Sequence, residues 1–302
     1  MNLKDIIEYQ KNIDGKIYFD YTIKNLNWFN IGGKSKIFFK PENLRELVSF
    51  LKIYKNRGKI FVLGAGSNVL ISDNIFDGVI IKLGQRFNNI SLLKENTVIA
   101  GANVLDKKLS VFCKEFEISG LEFLSCIPGT VGGGIRMNSG CYNKEFKDIV
   151  VSVQAIDFNG NVQTIPYDKI KFSYRSTNLS KKLIFLSATF QGKKKQKSKI
   201  DAEINRLMKI KKNSQPSKIK TSGSTFKNPK NSNGLKVWEL IKNSVPDQVQ
   251  FGDAYISNNH SNFFVNKNNA SFQDMYKLIN FVKMKVKKKY NINLELEVVV
   301  VK

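Results

Sequence analysis

IFVLGAGSNVLI, residues 60–71, is the stretch on which the fold turns. Ile60 to Leu63 is a short apolar strand, Val69 to Ile71 is another, and GAGSN, Gly64 to Asn68, joins them. A glycine loop directly after a strand lets backbone N–H groups converge on a phosphate without side-chain obstruction. A doubly wound dinucleotide fold would continue into a helix with a third glycine, but that position is Val69 and a strand follows. No GKS or GKT follows the loop, which disfavours P-loop hydrolysis. Alone, such a loop is more often a plain turn than a phosphate site.

Upstream, Pro41 to Gly58 carries Leu44, Leu47, Val48, Leu51 and Tyr54 at helical spacing, with proline at its start and glycine at its end. Downstream come an apolar strand at Val79 to Leu83, a strand beginning at Val98, and a helix around Val104 to Phe116. The next passage, IPGTVGGGIRMNSG from Ile127 to Gly140, holds more glycine than a connection needs. Gly129, Gly132, Gly133 and Gly134 offer a second stretch of backbone able to lie flat against a ligand. Two such loops suit a clamp on one large dinucleotide. A tight crossover between strands is the competing explanation, and it fits one loop more comfortably than both.

Beyond it, Val151 to Phe158 and Val162 to Ile165 flank Asn159-Gly160, which predicts a two-residue hairpin turn. Leu183 to Phe190 reads as a strand, and the basic run Lys193 to Lys199 as a solvated connector. Ile200 to Lys212 has a helical pattern that stops before Pro216. The change of character near residue 200 suggests a domain boundary. Ser271 with Asp274 forms a capping-box pattern ahead of Phe272, Met275, Leu278, Ile279, Val282 and Val286, one face of a long helix, and Leu294 to Val301 reads as a final strand.

Composition narrows the classes. The chain has 302 residues, 42% of them hydrophobic, enough for a sizeable core and for two or three domains. No run approaches the roughly 20 apolar residues of a membrane-spanning helix, so an untargeted cytoplasmic protein without membrane insertion is expected. Cys113, Cys126 and Cys141 are widely spaced and odd in number, which points to reduced thiols, with no disulfide framework and no metal site. The formal charge of +24 suits nucleic acid, acidic surfaces or anionic small molecules alike. No zinc-finger, RNP-like or helix-turn-helix pattern accompanies it, so nucleic acid is not the expected partner.

The ordered blocks GAGSN, GLEFLSCIPGTVGGGIRMNSG, FSYR, GSTFKNP, NNHSNFFVN and LELEV resemble the UDP-N-acetylenolpyruvoylglucosamine reductase family across roughly Asn27 to Val301. The resemblance implies an α+β chain: an FAD-binding module of the vanillyl-alcohol-oxidase or p-cresol-methylhydroxylase type, in two subdomains (1–86 and 87–200), then a smaller α+β substrate-binding domain (201–302). It implies non-covalent FAD, NADPH as reductant, and conversion of UDP-N-acetylglucosamine enolpyruvate to UDP-N-acetylmuramate for peptidoglycan. A monomer is expected. Between Phe190 and Ser224 there is no room for the tyrosine-bearing insertion of one subgroup, so the chain is similar to the shorter, second type.

The same resemblance implies FAD contacts from Leu63, Gly64, Ala65, Gly66, Ser67 and Asn68 in the first loop. From the second it implies Ile127, Pro128, Gly129, Thr130, Gly132, Gly133, Asn138 and Gly140. Hydride addition to the vinyl terminus leaves negative charge beside the substrate carboxylate, which the protein must stabilise and then protonate. Arg175 matches the cation at that carboxylate, Ser224 the proton donor, and Glu297 the carboxylate that polarises the intermediate. Glu295, two residues away on the same expected strand face, is the register alternative. Tyr174, Lys227, Asn228, His260 and Asn262 are the substrate-side candidates, with core packing the rival role for Tyr174 and loop bracing for the others. Thr177 stands where the family often has serine, and Cys141 where a smaller residue is common. An oxidase of another substrate on the same flavin half is the alternative activity. Such enzymes often attach FAD through histidine, and the single histidine, His260, lies outside that half.

Overall fold

The computed structural model describes residues 3–55, 57–215, 219–232 and 234–302. They form two compact units that interleave in sequence: residues 1–20, 36–65 and 77–211 make the first, and residues 21–35, 66–76 and 212–302 the second. The second unit thus draws two early segments into a mostly C-terminal body. The expected boundary near residue 200 falls inside the helix Lys197–Ser214.

Most of the first unit is two sheets and the helices against them. Lys59–Val62 runs parallel to Phe76–Ile81 in a four-stranded sheet, with Lys34–Lys40 and Lys16–Thr22 beyond. Asn43 caps the helix Leu44–Tyr54 by accepting from the Glu46 amide at 3.0 Å. Leu47, Phe50, Leu51 and Tyr54 are its buried face, while Leu44, counted toward that face in the sequence, is exposed because it begins the helix at the rim. A five-stranded antiparallel sheet follows, ordered Val162–Pro166, Val150–Asp157, Leu183–Gln191, Thr97–Gly101 and Ile90–Lys94.

Its first hairpin differs from expectation. Asp157 Oδ1 accepts from the amides of Asn159 and Asn161, each at 2.9 Å, and the loop takes four residues, Phe158 to Asn161. The aspartate satisfies the turn amides, and this favours the longer loop over a two-residue turn.

The larger difference lies in the second glycine passage. Val131–Met137 is an α-helix, capped by Thr130, and Gly132 to Gly134 are helical residues. Glycine is a poor helix former, which hid the helix from a propensity reading. Packing explains Gly134: a Cβ there would overlap the ring of Phe146, which is fully buried and meets Phe190 edge to face with centroids 5.9 Å apart. Gly134→Ala gains about 1 kcal/mol of helix propensity. Overpacking a tight core costs about 1–3 kcal/mol, so the variant is expected to melt several degrees lower in a thermal scan. An unchanged Tm would mean that the Phe146 ring yields without cost.

The second unit has its own core, in which Phe29, Ile31 and Leu70 from the early segments join Phe226, Phe264 and the long helix. That helix, Phe272–Tyr290, carries the expected capping box, with Ser271 accepting from the Asp274 amide at 3.0 Å. Phe272, Met275, Leu278, Ile279, Val282 and Val286 are all buried, each contributing roughly 1.5–3 kcal/mol of apolar burial. The helix Val237–Ser244 packs beside it, with an antiparallel sheet of Gln250–Phe251, Ala254–Ile256 and Phe264–Asn266. The final strand is short, Val299–Val301, parallel to Val69–Ile71. Leu294 to Val298, expected as part of it, lie outside any strand; the Glu297 and Val298 amides donate to the Thr225 carbonyl, and the Glu295 carbonyl accepts from Lys227. No described helix is long and apolar enough to cross a membrane.

Candidate active site

The first glycine loop has the amides of an anion cradle. Among the described residues, no N–H from Gly64 to Asn68 donates to a backbone carbonyl. Gly66 has φ +68°, and a Cβ there would run into the backbone of Leu26, so glycine is required. In the first unit the two glycine passages meet, for a Cβ on Gly64 would stand 2.6 Å from Thr130 Oγ1. The second passage is held beside it by the amides of Asp106, Val131 and Gly132, which donate to the carbonyls of Gly129, Val104 and Ala102.

Two charged residues under these loops went unnoticed in the sequence. Lys82 Nζ donates to the Gly64 carbonyl at 2.6 Å, and burial, helped by Lys40, holds its pKa below the ordinary lysine value. No carboxylate lies within ion-pairing distance of Lys82 among the described residues. A lysine inside the apolar run GVIIKL was the available signal. Asp106 is fully buried beneath Gly129, both oxygens lack a partner among the described residues, and burial pushes its carboxyl well above the usual range. An unspent row of amides backed by a half-buried cation suits an anionic dinucleotide.

Not every expected cofactor residue faces outward. Asn138 is fully buried at the end of Val131–Met137 in the left-handed conformation, φ +42°. Its amide donates to Glu145 Oε2 at 2.9 Å and the Ser173 carbonyl at 3.0 Å, and accepts from the Lys147 amide at 3.0 Å. Asn138 is therefore a brace, and its side chain offers no surface to a ligand. Arg175, in the same unit, follows Tyr174 in the turn between Phe172–Ser173 and Ser176–Thr177. Its Nη2 donates to the Gly140 carbonyl at 2.8 Å. Tyr174, for which core packing was the rival role, is exposed, with the Arg175 guanidinium 5.1 Å from its ring centre.

The second unit brings Ser224 and Glu297 into one backbone arrangement. Ser224 bridges to Phe263 and Phe226 to Leu296, so the GSTF segment runs between the NNHSNF loop and the chain's end. The Glu297 amide donates to the Thr225 carbonyl at 2.9 Å. Asn68, the last residue of the first glycine loop, donates from its side chain to the Glu297 carbonyl at 3.1 Å, and its own carbonyl accepts from Val299 at 3.1 Å. The Ser224 hydroxyl is half-buried and makes no hydrogen bond among the described residues. The two glutamates differ in setting: Glu297 is half-buried, whereas the Glu295 side chain is 79% exposed and lies 3.8 Å from Lys227 Nζ.

Asn262 holds this segment in place. Its Oδ1 accepts from the Phe226 amide at 3.0 Å and its Nδ2 donates to the Phe226 carbonyl at 2.9 Å, while its own carbonyl accepts from Thr225 at 2.8 Å. At 2% exposure, with both amide ends spent, it is a brace where a substrate contact was expected. His260 Nδ1 in turn accepts from the Asn262 amide at 3.2 Å, and burial lowers its pKa. Asn228 Oδ1 accepts from Val237 at 3.0 Å, capping the helix Val237–Ser244. A cleft of about 430 Å³ in this unit is lined by His260, Trp238, Ile241, Val245 and Val249, and neither Ser224 nor Glu297 forms its wall.

Comparison with known proteins covers nearly the whole chain. Residues 35–166 match an FAD binding domain family, and residues 215–301 match the family described as UDP-N-acetylenolpyruvoylglucosamine reductase, C-terminal domain. The UDP-N-acetylenolpyruvoylglucosamine reductase of Pelagibacter ubique (strain HTCC1062) is 58% identical over 302 residues, covering 100% of both chains. That of Rickettsia bellii (strain RML369-C) is 43% identical over 286 residues, 95% of this chain and 94% of the relative. Among solved structures, the UDP-N-acetylenolpyruvylglucosamine reductase of Thermus caldophilus superposes with a TM-score of 0.81 at 27% identity, over 96% of this chain and 100% of that one.

Proposed function

This chain belongs to the UDP-N-acetylenolpyruvoylglucosamine reductase family, and from that premise we propose how its residues carry the reaction. It is an FAD-dependent oxidoreductase that reduces UDP-N-acetylglucosamine enolpyruvate to UDP-N-acetylmuramate, a step in making peptidoglycan precursors. FAD, when bound, supplies the hydride that NADPH provides and the vinyl carbon receives. The amides of Gly64 to Asn68 would hold its diphosphate, with Thr130 beside Gly64. The chain works as a monomer in the cytoplasm, with the first unit taking the role expected of the FAD subdomains (1–86 and 87–200) and the second unit, which adds residues 21–35 and 66–76 to the C-terminal part, that of the substrate domain.

Arg175 pairs with the substrate carboxylate and so opposes the negative charge that grows beside it. Ser224 gives the proton to the carbon next to that carboxylate. A serine hydroxyl is a weak acid, so it needs a nearby positive charge, and Lys227 is the nearest cation along the segment. Glu297 lies at the same developing charge and helps polarise the intermediate. Glu295, exposed and beside Lys227, is left as the outer ion pair. Asn262 and His260 keep the Ser224 segment in register.

The observation that supports this reading is the hydrogen bonding of Thr225, Glu297 and Asn68, which joins the proton-donor segment, the late carboxylate and the last residue of the glycine loop within the second unit. Steady-state NADPH oxidation by the purified yellow protein tests it. Rapid oxidation only when UDP-N-acetylglucosamine enolpyruvate is added supports the reading, and oxidation indifferent to that substrate rejects it.

Lys82 enters through the loop it supports. In a trans peptide the carbonyl and the following N–H point in opposite directions, so anchoring the Gly64 carbonyl turns the Ala65 amide the other way. Its charge also favours a diphosphate nearby. Lys82→Met is expected to weaken FAD binding to apoprotein by about tenfold or more, on the scale of the 1.5–3 kcal/mol of a hydrogen bond involving a charge. A fluorescence titration with FAD measures this, and an unchanged Kd removes Lys82 from the cofactor site.

A further inference from the structure

Arg175 sits at φ +52°, in the left-handed region that a long side chain seldom adopts, at the second position of a two-residue turn. A second tight hairpin grips its side chain. Gly140–Cys141 pairs with Lys144–Glu145 across Tyr142 and Asn143, at φ +53° and +62°, the conformation that two-residue hairpin turns favour. Gly140 and Glu145 are directly opposed in that hairpin, and both reach Arg175: Nη2 donates to the Gly140 carbonyl at 2.8 Å, and Nη1 lies 3.9 Å from Glu145 Oε1.

Glu145 is itself fixed from the other side. Its Oε2 accepts from Asn138 Nδ2 at 2.9 Å and pairs with Lys147 Nζ at 2.9 Å. Asn138 also donates to the carbonyl of Ser173, two residues before Arg175, so one buried amide joins the two hairpins. The Arg175 and Glu145 side chains are 18% and 19% exposed, which limits solvent screening of the pair. Two cations share the Glu145 carboxylate, and Asp148, which accepts from the Glu145 amide at 2.9 Å, adds a second negative charge to the cluster.

We infer that Glu145, held by Asn138, is a positioning residue that sets the plane of the Arg175 guanidinium and so the edge it presents to the substrate carboxylate. A guanidinium binds a carboxylate through a planar fork, and its value depends on that plane being fixed before substrate arrives. The inference rests on the assignment of Arg175 to that carboxylate. It gives a role to an acidic residue beside a site for an anionic substrate, where charge alone would disfavour one.

A double-mutant cycle on the FAD-loaded enzyme tests it. Glu145→Ala is expected to slow oxidation of reduced flavin by the enolpyruvyl substrate by about tenfold to a hundredfold, the scale of a small misplacement of a reacting group. Reduction by NADPH should stay near the wild-type rate, and Glu145→Gln should recover most of the loss. In an Arg175→Ala background, Glu145→Ala should cost nothing further. Glu145→Gln carries the same cycle, with a smaller effect, if the alanine variant sheds its flavin. Equal losses from the Glu145 variants with and without Arg175, or no loss at all, would overturn the positioning role. A normal rate in Arg175→Ala alone would instead remove the assignment of Arg175, a separate and recognisable failure.

Discussion

Ser224→Ala is expected to leave reduction of the bound flavin by NADPH nearly unchanged while slowing its reoxidation by the enolpyruvyl substrate by about 10²–10⁴-fold, the usual worth of a positioned proton donor. The separation follows from where the hydroxyl acts. It protonates the carbon beside the substrate carboxylate, so it has no part in the transfer from NADPH. The substitution is also structurally mild: Ser224 is half-buried, and its segment is held by the backbone bonds of Thr225 and Phe226 to Asn262 and of Thr225 to Glu297, none of which uses its side chain. Stopped-flow traces of both half-reactions decide the matter. Equal second-phase rates in variant and wild type would take the proton donation away from Ser224.

Arg175→Ala should act on the same half-reaction for a different reason. Removing a preorganised donor to a developing negative charge costs about 10²–10³-fold in rate, and the loss of carboxylate pairing should raise the KM for the enolpyruvyl substrate as well. FAD content should survive, because Gly140 and Glu145, which hold the Arg175 side chain, lie outside the glycine loop at Gly64 to Asn68. A variant purified without flavin, yet folded by circular dichroism, would instead mark Arg175 as a cofactor residue.

The sequence showed most of what rests on periodicity. The capped helix Phe272–Tyr290 has the buried face that its spacing predicted, and the strand at Val69–Ile71 lies where expected. Failures came where tertiary packing outweighs local propensity. Three consecutive glycines disguised the helix Val131–Met137, in which Gly134 makes room for Phe146. The final strand was overestimated because alternating Leu294, Glu295, Leu296 and Glu297 mimic one, while the Glu297 amide bonds to Thr225.

Site residues divide along similar lines. Ser224, Glu297 and Asn68 were legible from short motifs, and their backbones meet in the second unit. Asn138 and Asn262 carry the same motifs but spend their amides inward on Glu145, Ser173 and Phe226. A motif marks a residue as needed without saying whether it faces ligand or braces those that do. Lys82 and Glu145 had almost no local signal, since their importance comes from partners 18 and 30 residues away, Gly64 and Arg175.

The most direct test is anaerobic. Wild-type protein carrying FAD is reduced with one equivalent of NADPH and then mixed with UDP-N-acetylglucosamine enolpyruvate in a stopped-flow spectrometer without oxygen. Rapid return of the oxidised flavin spectrum, with one UDP-N-acetylmuramate formed per flavin, is the predicted result. A flavin that stays reduced until air is admitted would contradict it.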